Sequence, residues 1–260
     1  MEKRVHHRLV LLLSCLGCAA SLATLPIALA LGGAFADLPP LPVLTGGLAV
    51  QALVVFALAA HLGLKAAGRV GLAGAPLLAA LVGGRSVPLA DARLARAIAA
   101  GLGVGLLTVV LDGVLFRGAL SPAVAAFAEI APWKRLLAGM LYGGIAEEIL
   151  LRLFLLSALV YLRARGWRSG ARAGAGHVAF AIAVAALVFG LGHLPATAAL
   201  SPLTPAIVAR ALLTTDSWAW SAVFSSSGAG WRPRWPPMRL RTFRCSSCLC
   251  CSRRAERRPA

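Results

Sequence analysis

The chain has 260 residues, of which 59% are hydrophobic and only 13% charged, and its mean hydropathy is +0.82. Such values exclude an ordinary soluble globular domain and predict an integral membrane protein. The formal net charge of +17 could suggest a nucleic-acid partner, but many of the basic residues flank apolar segments, where anionic lipid headgroups are the simpler partners. Nucleic acid is therefore not expected.

Strand alternation is absent and Ala, Leu and Gly dominate, so helices are expected to satisfy the backbone in lipid. The predicted fold class is all-α, a polytopic bundle of about six transmembrane helices. Five apolar segments are long enough to cross a bilayer: Leu9 to Leu31, Pro42 to Leu64, Ala97 to Phe116, Leu136 to Leu162, and His177 to Leu194. A sixth begins near Pro205 and is interrupted.

The first segment follows a charged start, Met1 to Arg8, that superficially resembles a signal peptide. Its apolar run is too long for a signal-peptide core, which predicts a retained helix. Basic residues gather before this span, at Lys65, Arg69, Arg85, Arg93 and Arg96, and at Arg163, Arg165, Arg168 and Arg172. The positive-inside rule places those loops and the N-terminus in the cytoplasm, in the plasma membrane. The loops holding Asp37 and Glu129 then face outward, although Lys134 and Arg135 fit that side less well. Cys15 and Cys18 lie in the first span with no histidine nearby, which suits buried packing thiols. Asp112, Arg117 and Glu129 fall near the outer end of the third span, where solvation explains them.

The fourth span contains the most informative residues of the chain. Glu147, Glu148 and Arg152 lie within Leu141-Tyr-Gly-Gly-Ile-Ala-Glu-Glu-Ile-Leu-Leu-Arg152. A charged residue at the centre of a membrane helix costs about 2.5 to 3.5 kcal/mol on insertion scales, so a functional site is the default explanation. Glu148 and Arg152 are spaced i,i+4 and can form an ion pair on one helical face. With 3.6 residues per turn, Glu147 points about 100° away and has no local partner. A carboxylate in such a setting suits a general base. Gly143 and Gly144, one turn before each glutamate, leave room for another helix or a substrate backbone. A structural ion-pair network that fixes helix register is the alternative.

The fifth span ends in Val188-Phe-Gly-Leu-Gly-His193-Leu-Pro, with Phe189 and His193 on one face. A lone histidine near a helix end is usually an interfacial or packing residue, but the pair of intramembrane glutamates raises the case for His193. His6, His7, His61 and His177 flank the spans and read as interfacial.

Beyond Leu213 the composition changes abruptly. The tail holds nine Arg against Asp216 and Glu256, four of the six Trp, and a cluster of Cys245, Cys248, Cys250 and Cys251. The domain reading is therefore a transmembrane helical region over residues 1–213 and a basic, disordered tail over 214–260. In a GC-rich gene, Asp216 to Ser221 reads GAY TCN TGG GCN TGG TCN. One base earlier the same bases permit Gly-Leu-Leu-Gly-Leu-Val, which would restore the sixth span. The expectation is that the tail from about Thr214 or Thr215 is translated out of frame, and its cysteines are then no zinc site.

Glu147-Glu148-x-x-x-Arg152, followed in the next span by Phe189-x-x-x-His193, resembles the first two motifs of the CAAX protease and bacteriocin-processing family of intramembrane endopeptidases. The resemblance covers roughly Leu136 to Leu194. It implies hydrolysis of a peptide bond in or near the membrane, with Glu147 as base, His193 holding the water, and Glu148 and Arg152 orienting the site. It implies a peptide or protein substrate, either a lipidated C-terminal peptide or a bacteriocin-type precursor, and membrane lipids as further partners. The cofactor is unknown: the family is described both as glutamate-dependent and as metal-dependent, and Glu and His donors are compatible with a zinc-type site. A later HxxxN or HxxxD motif belongs to the family and does not follow His193 here. The shifted frame permits His-Ala-Ala-Ala-Asp over Met238 to Thr242, so the catalytic competence of the chain as written stays open. The alternatives are a non-catalytic membrane scaffold or partner-binding protein and, ranked last, a proton-coupled transporter.

Overall fold

The computed structural model describes residues 3–30, 39–72, 74–84, 92–119, 129–165, 175–198 and 202–213, with no strand among them. The tail from 214 onward, with its cysteine cluster and shifted motif, lies outside the described residues. So do Asp37, Arg85, Arg168 and Arg172.

Helix α1 spans Lys3–Leu22 and a short α2 spans Leu25–Ala30. The expected first span is thus broken once, at Ala23 and Thr24. The Thr24 hydroxyl and amide both reach back to the Ser21 carbonyl, at 2.7 and 3.1 Å, and Pro26 then opens the next helix. Helix α3 spans Leu41–Val70. It starts behind Pro40 with Pro42 in its first turn, where the missing proline N–H costs nothing. It stops at Gly71, whose φ of 74° is left-handed, while the Leu72 amide returns to the Ala67 carbonyl at 2.9 Å. Its 30 residues extend about 45 Å at 1.5 Å per residue. A tilted crossing of the bilayer is within that reach.

After the short α4, Pro76–Val82, comes α5, Ala92–Val114. The next helix, α6, runs over residues 132–165 and changes character along its length. Pro132–Ala138 and Ser157–Arg165 are α-helical, whereas Gly139–Ala146 and Glu148–Leu156 are π-helical. Helix α7 is Ala175–Ala198 and α8 covers residues 205–213. Among the described residues, the α1–α2 stretch Lys3–Ala30 and the helices Leu41–Val70 and Gly176–Ala198 are long and apolar enough to cross a membrane, and Ile98–Val114 is a shorter apolar helix.

The core sits where α1, α3 and α6 meet, with Leu9, Leu13, Phe56, Leu64, Ala146, Ile149 and Leu153 buried together. Glycines set the helix spacing. A Cβ on Gly17 would strike the Phe56 ring, and one on Gly63 would strike the backbone of Leu153 and Phe154. Such contacts bring α3 against α6 at backbone distance, as small residues do in membrane bundles. A second cluster of Val70, Val160 and Ala181 joins α3, α6 and α7. The outward faces remain apolar: Leu102, Leu106 and Val109 on α5 are 71%, 66% and 68% exposed. Hydrocarbon is the solvent that tolerates such surfaces. Cys18 is buried as expected, but Cys15 is exposed on the outer side of α1.

Candidate active site

The site is built where the π-helical part of α6 faces α7. The Glu147 amide donates to the Tyr142 carbonyl, five residues back. The turn is therefore wider than the 3.6 residues expected, and the predicted 100° between Glu147 and Glu148 does not apply there. Glycines 139, 143 and 144 fall in this stretch, and π-helical turns within helices often mark functional sites.

Glu148 and Arg152 form the predicted ion pair, with Arg152 Nη1 2.7 Å from Glu148 Oε2. Both side chains are 38% exposed, so the pair lines an accessible face. Glu147 does not share that partner. Its Oε1 lies 3.7 Å from His193 Nε2 on α7, and its Oε2 stands beside Gly143, where a Cβ would be only 3.6 Å away. Gly144 and Gly192 face open space. The two glutamates, adjacent in sequence, are thus divided between an intrahelical pair and an interhelical one.

His193 is held from its other side. Its Nδ1 lies 2.9 Å from the Phe189 carbonyl, and a ring nitrogen bonded to a carbonyl is the one that carries the proton. The Phe189 ring stands edge-on to the imidazole, centroids 4.4 Å apart. Nε2 is left as the lone-pair nitrogen and points toward Glu147. The sequence places the end of the fifth span at Leu194, which would leave His193 at a helix terminus. Instead α7 continues through Pro195 to Ala198, and the Thr197 hydroxyl donates to the His193 carbonyl at 2.9 Å. The extra turn seats His193 within the helix.

A catalytic zinc site uses three protein ligands, whereas Glu147 and His193 supply two and Glu148 is engaged by Arg152. Among the described residues no group of three or more His, Cys, Asp or Glu side chains gathers. These residues alone do not complete a metal site.

Two pairings were not foreseen. Arg210 on α8 grips Asp112 on α5 with two parallel bonds, Nε to Oδ1 at 2.6 Å and Nη2 to Oδ2 at 2.7 Å. The expectation that solvation explains Asp112 is corrected: its partner is a guanidinium 98 residues away. Asp112 in the apolar run from Ala97 to Phe116 and Arg210 in the apolar segment after Pro205 were the available signals. His6 Nε2 and His61 Nδ1 are 3.1 Å apart, joining α1 to α3.

Residues 129–232 match the family model described as type II CAAX prenyl endopeptidase Rce1-like. The match contains Glu147, Glu148, Arg152, Phe189 and His193 and extends past Leu213 into the tail. No curated protein and no solved structure matches the chain. The likeness to type II CAAX prenyl endopeptidases therefore covers the segment that carries both motifs, and it supports a membrane endopeptidase at the level of that family.

Proposed function

We propose that the protein is an intramembrane endopeptidase in which Glu147 and His193 activate one water for attack on a peptide bond. The observation that carries this reading is the 3.7 Å approach of His193 Nε2 to Glu147 Oε1 between two helices. That gap is too long for a direct hydrogen bond, yet a water about 2.8 Å from each atom closes the triangle. One water proton passes to Glu147 while the other is held by the His193 lone pair. The oxygen then bonds to the substrate carbonyl carbon. Glu147 returns the proton to the leaving nitrogen as the C–N bond breaks, so the carboxylate acts first as base and then as acid.

Glu148 and Arg152 orient the helix face on which Glu147 stands. The substrate is a peptide or protein, with a lipidated C-terminal peptide and a bacteriocin-type precursor as the two classes to compare. The positive-inside rule supports a cytoplasmic N-terminus, with the plasma membrane as the proposed location. Residues 214–260 are read as an out-of-frame product that displaces the third motif, and sequencing across codons 210 to 245 tests this. An uninterrupted gene that reproduces the present frame would end that part of the proposal.

The decisive assay uses both forms of the protein in proteoliposomes, as written and with the frame restored, against both peptide classes. Cleavage by the frame-restored form that disappears in Glu147→Gln and in His193→Ala supports the reading. Cleavage retained by either variant would overturn the assignment, and no cleavage by any form would favour a scaffold.

A further inference from the structure

Where α3 leaves the core, its outer face changes from apolar to basic along a single stripe. Val54, Leu58 and Leu62 are 54%, 57% and 48% exposed, and exposed Lys65 and Arg69 follow them. At 100° per residue these five positions fall within a band of about 80°. An apolar track capped by two cations has the outline of a phospholipid, chain below and headgroup above.

The basic end is built rather than loose. Arg69 Nη1 donates to the Tyr161 hydroxyl of α6 at 3.1 Å, and its guanidinium carbon stands 5.2 Å over the same ring. Tyr161 packs against the buried cluster of Val70 and Val160, so an anchored ring holds the guanidinium by both contacts, and its other donors remain unspent among the described residues. Because the tyrosine oxygen accepts from Arg69, its own proton remains to be donated. The carboxylate contacts among the described residues are Glu148 with Arg152, Glu147 with His193 and Asp112 with Arg210, so neither Lys65 nor Arg69 meets a carboxylate there. The His6–His61 contact brings the start of α1 alongside, and with it Lys3, Arg4 and Arg8. Further basic residues therefore stand near this end of α3.

We infer that Lys65, Arg69 and Tyr161 bind the phosphate of an anionic phospholipid whose acyl chain lies along Val54, Leu58 and Leu62. The oxygen-rich, singly charged phosphate matches a guanidinium fork, an ammonium and a hydroxyl donor. Basic pockets between transmembrane helices bind headgroups in this way. The apolar track below the cations selects a lipid over a free phosphate. This site stands apart from Glu147 and His193 and does not depend on the catalytic reading.

The full-length protein, released from nanodiscs and weighed by native mass spectrometry, tests the site with phosphatidylglycerol and phosphatidylcholine of identical chains. Phosphatidylglycerol is expected to be retained preferentially. Lys65→Gln and Arg69→Gln should each lower its association about fivefold, the effect of one basic residue near an anionic headgroup. Tyr161→Phe should lower it less, and Arg69→Lys should fall between Arg69→Gln and the unaltered protein. Lys134→Gln, which removes a cation at the opposite end of α6, should change nothing, and soluble glycerol phosphate should not compete. Equal retention of the two lipids would overturn the proposal. So would a loss in Lys134→Gln as large as that in Arg69→Gln, or displacement by glycerol phosphate at equal concentration. Gel filtration of each variant separates a lost site from a lost fold.

Discussion

Charge enters the apolar part of this molecule in two places that solve the same problem differently. Between α5 and α8, Arg210 and Asp112 meet in a fork at 2.6 and 2.7 Å that engages both carboxylate oxygens. Between α6 and α7, Glu147 and His193 stop 3.7 Å apart, with an imidazole whose second nitrogen is already anchored to Phe189. The first pair is satisfied and serves architecture. The second leaves a lone pair and a carboxylate oxygen facing a gap, which is what a reacting water needs. Intramembrane charge alone therefore does not identify a catalytic group; in the proposed mechanism the bonds left unmade do.

The largest effect that would break this contrast is catalytic. In the frame-restored protein, Glu147→Gln should reduce peptide cleavage by about 100-fold to 10,000-fold, the range of general acid–base catalysis, without moving the unfolding temperature in detergent. A parallel loss of stability would make Glu147 a structural residue like Asp112. Next comes the fork. Arg210→Leu alone should destabilise the bundle by about 3 kcal/mol because it strands Asp112 in an apolar setting. The joint Asp112→Leu, Arg210→Leu variant should recover most of that loss. Equal losses in the single and double variants would contradict a satisfied pair.

Smaller still is the glycine contact that holds α3 against the site helix. Gly63→Ala forces a methyl group onto the Leu153 carbonyl and should cost about 2 kcal/mol, a typical overpacking penalty. The smallest measurable loss of stability belongs to Glu148→Gln. Its ion pair with Arg152 is 38% exposed on both sides, so solvent screening holds the loss to about 0.5 kcal/mol. Thermal unfolding in one detergent measures all of these variants on one scale.

What could be read from the sequence was mostly local. The apolar runs announced the helices because each run is about as long as the bilayer is thick. Glu148 and Arg152 declared their pairing because an i,i+4 spacing brings two side chains together within one helix. The approach of His193 to Glu147 came from a family resemblance, since a separation of 46 positions (193 − 147) carries no spacing rule. Asp112 and Arg210 stayed hidden for the same reason: a contact 98 residues apart depends on tertiary packing. The π-helical stretch was missed because 3.6-residue periodicity was assumed through Gly143 and Gly144. The passage of α7 through Pro195 was missed because proline usually ends a helix.

The central claim is that Glu147 and His193 act on a single water, and a double-mutant cycle on peptide cleavage tests it most directly. Groups that work as one unit are not additive. In the frame-restored protein, Glu147→Gln combined with His193→Ala should be about as slow as the worse of the two single variants. Losses that multiply, with each variant independent of the other, would contradict a shared water.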